Sequence, residues 1–189
     1  MKITLQLAVS LDGYIARPDG SFDWCFTDQD YGMAGFFASV DAVIMGRHSY
    51  DLTRKLHERL DPAKRYYVLS RRGLRADEEN VEVFSGDVAD LRLRMVEDDV
   101  RHAWLFGGAE VCGQFAQEGL IDECMIAVHP LALGGGVPLF RGLQSDLRLE
   151  PLEPAGLDPS PALWHPSALD DAADPPVPVA ALRRLRPHG

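Results

Sequence analysis

Short apolar segments alternate with amphipathic segments between Met1 and Pro130, and this alternation constrains the fold more than any other feature. The apolar segments have the length of strands, and the segments between them carry apolar residues at helical spacing. Strands are predicted at Lys2–Val9, Asp41–Met45, Arg65–Ser70, Val81–Phe84, His102–Phe106 and Glu123–His129. Helices are predicted at Gln29–Ser39, at His48–Leu60, after Asp87 and after Gly108. Strands that alternate with helices are typical of an α/β fold with a largely parallel sheet that is covered on both faces.

The pattern changes after Pro130, where loops and isolated strand-like segments replace the alternation. Strands are predicted at Leu147–Leu152 and Val177–Arg186, and they would suit an antiparallel edge of the sheet. The residues between them, around 153–176, are rich in proline, alanine and aspartate and predict an irregular insertion. A length of 189 residues suits one domain, so we expect a single domain over 1–189.

Charge and cysteine content exclude several classes of protein. The formal net charge of −10 argues against nucleic acid or an anionic membrane as the main partner. The chain contains no apolar run of about 18 residues, and it begins with a strand pattern instead of a signal peptide. Cys25, Cys112 and Cys124 form no metal-binding or disulfide pattern. We therefore expect a cytoplasmic protein that has no metal site and acts on a small molecule.

Three strand ends carry residues that could hold phosphate groups. Gly46–Tyr50 combines a glycine, an arginine and a helix start, and Gly107–Glu110 places two glycines before a helix. Ser70–Gly73 places a hydroxyl and two arginines after a strand. Helix starts and arginines both bind phosphate, and ligands of α/β sheets bind at the carboxyl ends of strands. Each segment taken alone is equally consistent with a plain turn or a solvated basic loop.

Taken together and in this order, the segments resemble a known family. Val43–Tyr50 resembles the segment of dihydrofolate reductases that binds the NADPH phosphates, and Val68–Arg71 resembles their adenosine 2′-phosphate segment. Phe106–Glu110 is similar to their glycine-pair turn beneath the pyrophosphate. The segments Ser10–Ala16, Leu120–Glu123 and Leu133–Phe140 are closer to the riboflavin-biosynthesis branch, the RibD C-terminal domain. The resemblance covers Met1 to about Leu149.

The resemblance implies a dihydrofolate-reductase-like, three-layer α/β/α fold with a mostly parallel central sheet and an antiparallel C-terminal edge. It also implies a homodimer, a cis Gly107–Gly108 peptide bond, and NADPH as the cofactor of a reductase. Its substrate would be small and planar, of pteridine or pyrimidine type. The residues implied for the cofactor are Ala8, Ile15, Gly46, Arg47, His48, Ser49, Ser70, Arg71, Arg72, Gly107, Gly108, Ala109 and Glu110.

Candidate residues for the chemistry lie in the loop that the resemblance places over the nicotinamide, and on the first helix. Asp12, Asp23 and Asp30 could each donate a proton if their surroundings raised the pKa. Asp12 could equally be a turn residue of its Asp-Gly pair, and Asp23 a loop charge. Candidate substrate-binding residues are Ser10, Trp24, Met33 and Phe37. Trp24 could stack on the substrate or fill the core, and helical spacing also suits Met33 and Phe37 to the core.

The first helix differs from that of folate reductases, which carry an acid there against the pterin ring. The matching segment, Tyr31–Phe37, contains no acid, and Asp30 lies just before it. The sequence therefore does not favour dihydrofolate as the substrate. The alternative function is a non-catalytic NADP(H)-binding protein that keeps the fold without a proton donor.

Overall fold

An eight-stranded sheet forms the centre of the computed structural model, which describes residues 1–27, 30–56, 59–151 and 179–184. The strands are β1 (Lys2–Ser10), β2 (Tyr14–Ala16), β3 (Ala42–Gly46), β4 (Arg65–Leu69), β5 (Val81–Phe84), β6 (His102–Gly107), β7 (Glu123–His129), β8 (Val137–Pro138), β9 (Leu149–Pro151) and β10 (Val179–Arg184). The helices are α1 (Met33–Ser39), α2 (Arg47–Lys55), α3 (Val88–Glu97) and α4 (Ala109–Gln117).

The strand order in the large sheet is β5-β4-β3-β6-β1-β7-β10-β9. The first six strands in this order are parallel, whereas β10 runs antiparallel to β7 and β9 runs antiparallel to β10. A separate antiparallel pair is formed by β2 and β8. The predicted fold class, a mostly parallel sheet with an antiparallel C-terminal edge, is confirmed.

Helices cover both faces of the sheet and divide the core into two clusters. On one face, Leu91 and Met95 of α3 and Phe115 of α4 pack against the sheet. On the other, Phe36 of α1 and Tyr50 of α2 pack against it. Strand β3 lies inside the sheet and is apolar on both sides because both of its faces meet helices.

Several element boundaries differ from those predicted. Helix α1 starts at Met33, because Tyr31 and Gly32 have φ angles of 49° and 79°, which are left-handed and interrupt a helix. Helix α2 starts at Arg47 and ends at Lys55, earlier than predicted. The strands β2 and β8 were not predicted, since three and two residues are too few to show an alternation. The predicted insertion at 153–176 lies outside the described residues.

No helix among the described residues is long and apolar enough to cross a membrane. The three cysteines are free thiols there, and burial raises the pKa of Cys25 to about 11 and those of Cys112 and Cys124 to about 12.

Candidate cofactor and substrate site

Three of the parallel strands end side by side, and their ends bring the predicted phosphate-binding segments together. Gly46 of β3 is in register with Leu69 of β4, and Met45 is in register with Gly107 of β6. Ser70 therefore follows on one side of Gly46, and the glycine pair follows on the other. The strand order places segments from three separate parts of the sequence at one edge of the sheet.

Helices α2 and α4 both begin at this edge, with Gly46 and Gly108 at their N-cap positions. Neither cap residue has a side chain, so no side-chain cap bonds the first N–H groups of either helix. A Cβ on Gly46 would lie 3.1 Å from Cγ2 of Val111, and one on Gly108 would lie 3.6 Å from Oγ of Ser49. The two turns thus contact each other. Two adjacent helix N-termini form a site suited to an anionic group.

The glycine pair has the backbone geometry that the resemblance implies. The Gly107–Gly108 peptide bond is cis, so this prediction is confirmed. Gly107 has a φ of 112°, a conformation that favours glycine. The carbonyl of Ala109 in the first turn of α4 accepts a hydrogen bond from the N–H of Arg141 at 3.3 Å.

The predicted cofactor arginines lie at this edge, and they contact acids and backbone carbonyls. Nε of Arg47 lies 3.4 Å from a carboxylate oxygen of Asp51, and Nη1 donates to the carbonyl of Gly73 at 3.3 Å. Nη2 of Arg71 lies 3.6 Å from Oε2 of Glu110. Arg72 and His48 are exposed beside them.

Ser70 is buried, and its hydroxyl donates to the carbonyl of Arg72 at 2.5 Å. A phosphate at this strand end would therefore compete with the backbone for the hydroxyl proton.

The loop between β1 and α1 reaches the start of α2 at the cofactor edge. A Cβ on Gly20 in this loop would lie 3.7 Å from Nε2 of His48. The loop begins at Ser10, whose hydroxyl is buried and accepts a hydrogen bond from the N–H of Tyr14 at 3.0 Å. The loop, the end of β1 and the start of α2 thus surround one region.

Asp12 is held by three donors and is not arranged as a proton donor. Its carboxylate accepts hydrogen bonds from the Ser10 hydroxyl (2.6 Å), the Leu133 N–H (3.0 Å) and the Gly134 N–H (2.8 Å). These bonds, that of Ser10 foremost, lower the pKa of Asp12 from 3.8 to about 2. A proton donor needs a raised pKa, so the contacts favour the alternative reading of Asp12 as a turn residue.

Asp23 and Asp30 are also engaged locally. Asp23 is exposed, and the hydrogen bond from Nε of Arg17 at 2.7 Å lowers its pKa. Asp30 is exposed, and its Oδ1 accepts a hydrogen bond from the N–H of Ala34 in α1 at 2.9 Å. The lowered pKa of Asp23 does not meet the condition of a raised pKa that the prediction set.

The predicted substrate residues from α1 lie over the sheet. Sδ of Met33 lies 2.8 Å from Nε2 of Gln6, on β1. The ring of Phe37 packs edge-on against Trp104 of β6, with centroids 6.1 Å apart, and Nζ of Lys64 lies 4.3 Å from the Phe37 centroid. The helix therefore holds these side chains above β1 and β6.

Trp24 is buried, with 6% of its surface exposed, and its ring packs edge-on against His129 with centroids 5.2 Å apart. Its indole Nε1 is buried without a hydrogen-bond partner among the described residues. Ala8 and Ile15 are half-buried on β1 and β2. Ala8 lies on the same face of β1 as Gln6 and Ser10, because side chains alternate along a strand.

With this geometry established, comparison with known proteins identifies the family. The sequence profile of the RibD C-terminal domain matches residues 1–158. The chain belongs to the RibD C-terminal domain family. The resemblance to the riboflavin-biosynthesis branch is thereby confirmed.

Two Bacillus subtilis (strain 168) proteins are similar in sequence to this RibD C-terminal domain. The uncharacterized protein YyaP is 32% identical over 161 residues, which cover 79% of this chain and 85% of YyaP. The uncharacterized protein YwjB is 35% identical over 152 residues, which cover 78% of this chain and 87% of YwjB. Both relatives match most of the domain along most of their own length.

Solved structures share the fold. A provisionally assigned riboflavin biosynthesis protein from Shewanella sp. PV-4 superposes with a TM-score of 0.79 at 26% identity and covers 98% of this chain and 100% of its own. The Thermotoga maritima diaminohydroxyphosphoribosylaminopyrimidine deaminase/5-amino-6-(5-phosphoribosylamino)uracil reductase has a TM-score of 0.66 at 16% identity. That comparison covers 97% of this chain and 56% of the Thermotoga protein, so this chain spans just over half of its length.

His129 and Gln6 of the RibD C-terminal domain lie beside the predicted site residues Trp24 and Met33, although neither was predicted as a site residue. His129 ends β7, in register with Ser10, and Phe26 donates its backbone N–H to Nε2 at 3.1 Å. The position of His129 at a strand end next to β1 was a usable signal. The position of Gln6 in the middle of β1 carried none.

A cavity of about 370 Å³ lies elsewhere, at the amino end of β4. Its lining is Pro62, Ala63, Lys64, Arg65, Tyr67, Glu79 and Asn80. Apart from Tyr67 within β4, these residues lie at or before the amino ends of β4 and β5. None of the lining residues belongs to the predicted phosphate-binding segments, so the cavity is separate from the candidate site. No group of three or more metal-ligating side chains occurs among the described residues.

Proposed function

We propose that this RibD C-terminal domain is an NADPH-dependent reductase that transfers a hydride to a small planar substrate of pyrimidine or pteridine type. The observation that carries the proposal is the convergence of the α2 and α4 N-termini beside Arg47 and Arg71. Two helix starts without side-chain caps suit a pyrophosphate, and two arginines suit a phosphate monoester. The edge therefore fits the phosphate groups of NADPH in number and charge.

The residues of the chain have separate tasks in this proposal. The first N–H groups of α2 and α4 would hold the pyrophosphate. The 2′-phosphate would be held by Arg47, Arg71 and Arg72. The loop from Ser10 to Trp24 would cover the nicotinamide and exclude water. Bound NADPH supplies the hydride, while the protein sets position and electrostatics.

The family supports a pyrimidine-like substrate. The Thermotoga neighbour is described as a reductase of a phosphoribosylaminouracil, which is a pyrimidine. In this chain, Met33 and Phe37 of α1 lie over β1 and β6. Thioether and aromatic side chains of this kind pack well against a flat heterocycle.

The lowered pKa values of Asp12 and Asp23 bear on the proton that reduction requires. Both acids are ionised at neutral pH, so we propose that solvent water supplies this proton. The same observation favours the second candidate function, a non-catalytic NADP(H)-binding protein on the same fold.

One experiment separates the two functions. The purified full chain is incubated with NADPH and a panel of aminopyrimidines, pterins, quinones and imines, and the absorbance of the reduced nicotinamide is followed. We expect oxidation with an aminopyrimidine or a pterin. Turnover with quinones or imines alone would contradict the substrate class. Tight NADPH binding without turnover on the whole panel would support the non-catalytic protein, and no binding at all would reject both.

A further inference from the structure

The ion pair between Arg71 and Glu110 joins two turns that flank the cofactor edge. Arg71 follows β4 and Glu110 lies in the first turn of α4 after β6, while β3 lies between those strands. Nη2 of Arg71 and Oε2 of Glu110 are 3.6 Å apart, so the side chains meet across the end of β3 at Gly46. The pair therefore lies over the site at which α2 and α4 converge.

The negative charge of Glu110 is unfavourable for binding an anionic ligand at this edge. The two helix N-termini and Arg47 at this edge favour an anionic ligand. Glu110 places a carboxylate on Arg71, one of the residues that would bind the 2′-phosphate. Asp51 also contacts an arginine of the site, but its pair with Arg47 lies within α2 at i and i+4 and spans no turn.

The exposure of the pair shows that it adds little to the stability of the fold. The side chains of Arg71 and Glu110 are 83% and 60% exposed. Exposed ion pairs are weak because water and salt screen them. Such a contact exchanges readily for a phosphate, which carries more charge than a carboxylate.

From this geometry we infer that Glu110 competes with the 2′-phosphate of NADPH for Arg71, and that it thereby lowers the affinity for NADPH relative to NADH. The inference rests on the proposed function, since it requires NADPH at this edge. Glu110 is then a residue that tunes cofactor preference. A different role, stabilisation of the first turn of α4 through the helix dipole, would leave cofactor affinity unchanged.

The inference predicts the direction and size of the change in NADPH affinity that one substitution causes. Glu110→Gln should tighten NADPH binding by about two- to fivefold at low ionic strength, which is the range of an exposed ion pair. NADH lacks the 2′-phosphate, so its affinity should change much less. If Glu110 acted only by repelling the pyrophosphate, both cofactors would bind more tightly by the same factor.

The test is a titration of the full chain with NADPH and with NADH by isothermal calorimetry. The variants are Glu110→Gln, Arg71→Ala and the double variant. Glu118→Gln is the matched control, because it removes the same charge at the exposed C-cap of α4, far from the edge. We expect tighter NADPH binding for Glu110→Gln alone, no effect of that change when Arg71 is absent, and none for Glu118→Gln.

Three results would overturn the inference. They are weaker or unchanged NADPH binding by Glu110→Gln, equal tightening of both cofactors, or the same gain in the Arg71→Ala background. In each of them the wild-type chain still binds NADPH, so the NADPH site that the proposed function requires is not overturned. A wild-type chain that binds neither cofactor would overturn the proposed function and the inference together.

Discussion

His129 accepts a hydrogen bond through Nε2 from the backbone N–H of Phe26 at 3.1 Å, and this bond joins the loop before α1 to the end of β7. An accepting Nε2 requires the proton on Nδ1, which lies 3.4 Å from the carbonyl of Ala127. The imidazole also packs against the rings of Trp24 and Phe26, with centroids 5.2 and 4.9 Å away. The loop is therefore joined to a histidine that must be neutral.

The first prediction concerns the pH dependence of stability. Burial lowers the pKa of His129 below 6.5, so the unfolded chain takes up the proton first as the pH falls. The neutral His129 imidazole contributes fully to the free energy of unfolding above about pH 6.5. This contribution is lost as the pH falls through the pKa of His129 in the folded protein. His129→Gln keeps a hydrogen-bond acceptor without titrating. Between about pH 7 and pH 5, we expect the free energy of unfolding, measured with urea, to fall less steeply with pH for this variant than for the wild type. The difference in slope should be at most about 1.4 kcal/mol per pH unit. Equal slopes for the two proteins would contradict the assignment.

The second prediction concerns Asp12, whose carboxylate joins the loop after β1 to the Leu133 and Gly134 N–H groups. Asp12→Asn removes the charge, so these hydrogen bonds weaken and hydrogen exchange at both amides should accelerate. The wild-type contacts should persist in mild acid and be lost as the pH falls from about 3.8 to about 2, because the pKa is lowered. Asp19→Asn is the control, since Asp19 is exposed and bonds Ser21 in the same loop. Unchanged exchange in Asp12→Asn would show that the carboxylate does not hold the second loop.

The third prediction concerns cofactor choice. Arg47→Ala and Arg71→Ala should each weaken NADPH binding by about ten- to a hundredfold, the cost of one charge-assisted contact, and change NADH binding much less. Arg75→Ala is the matched control, because Arg75 lies in the loop after β4 and its side chain is 94% exposed in a pair with Asp77. The measurement is the dissociation constant of each cofactor. Equal losses for both cofactors, or a wild-type preference for NADH, would show that the 2′-phosphate site lies elsewhere.

The fourth prediction concerns Trp24, whose buried Nε1 lacks a partner among the described residues. Trp24→Phe removes this unsatisfied donor but leaves a smaller ring. Because the two effects oppose each other, we expect the free energy of unfolding to change by less than about 1 kcal/mol. If the substrate accepts a hydrogen bond from Nε1, KM should rise at constant stability. An unchanged KM would assign Trp24 to the core alone.

The fifth prediction concerns assembly. Among the described residues, the sheet ends at β5 on one side and at β9 on the other, and strands at sheet edges can pair between copies. We expect a homodimer at micromolar concentration, with a light-scattering mass of twice 20.9 kDa. A monomer mass at that concentration would contradict the expectation.

The sequence by itself determined the parallel part of the sheet and the position of its ligand edge. Val81–Phe84 and Glu123–His129 were predicted with the bounds that the structure has. The glycines and arginines at Gly46, Ser70–Arg72 and Gly107 were also readable, since each comes directly after such a strand. Local periodicity reports which residues face the core, and that information lies within each segment.

Only the tertiary structure decided which of these residues meet. Asp12 is of a residue type that can donate a proton. Hydrogen bonds from the Ser10 hydroxyl, foremost, and from the N–H groups of Leu133 and Gly134, which lie 121 and 122 residues further along, nevertheless lower its pKa. Glu110 was predicted to be part of the cofactor turn, and only the structure shows that its carboxylate meets Arg71 across β3. The physical reason is that pKa and charge depend on neighbours in space, and the strand order, which places β1 between β6 and β7, determines those neighbours without leaving a local pattern in the sequence.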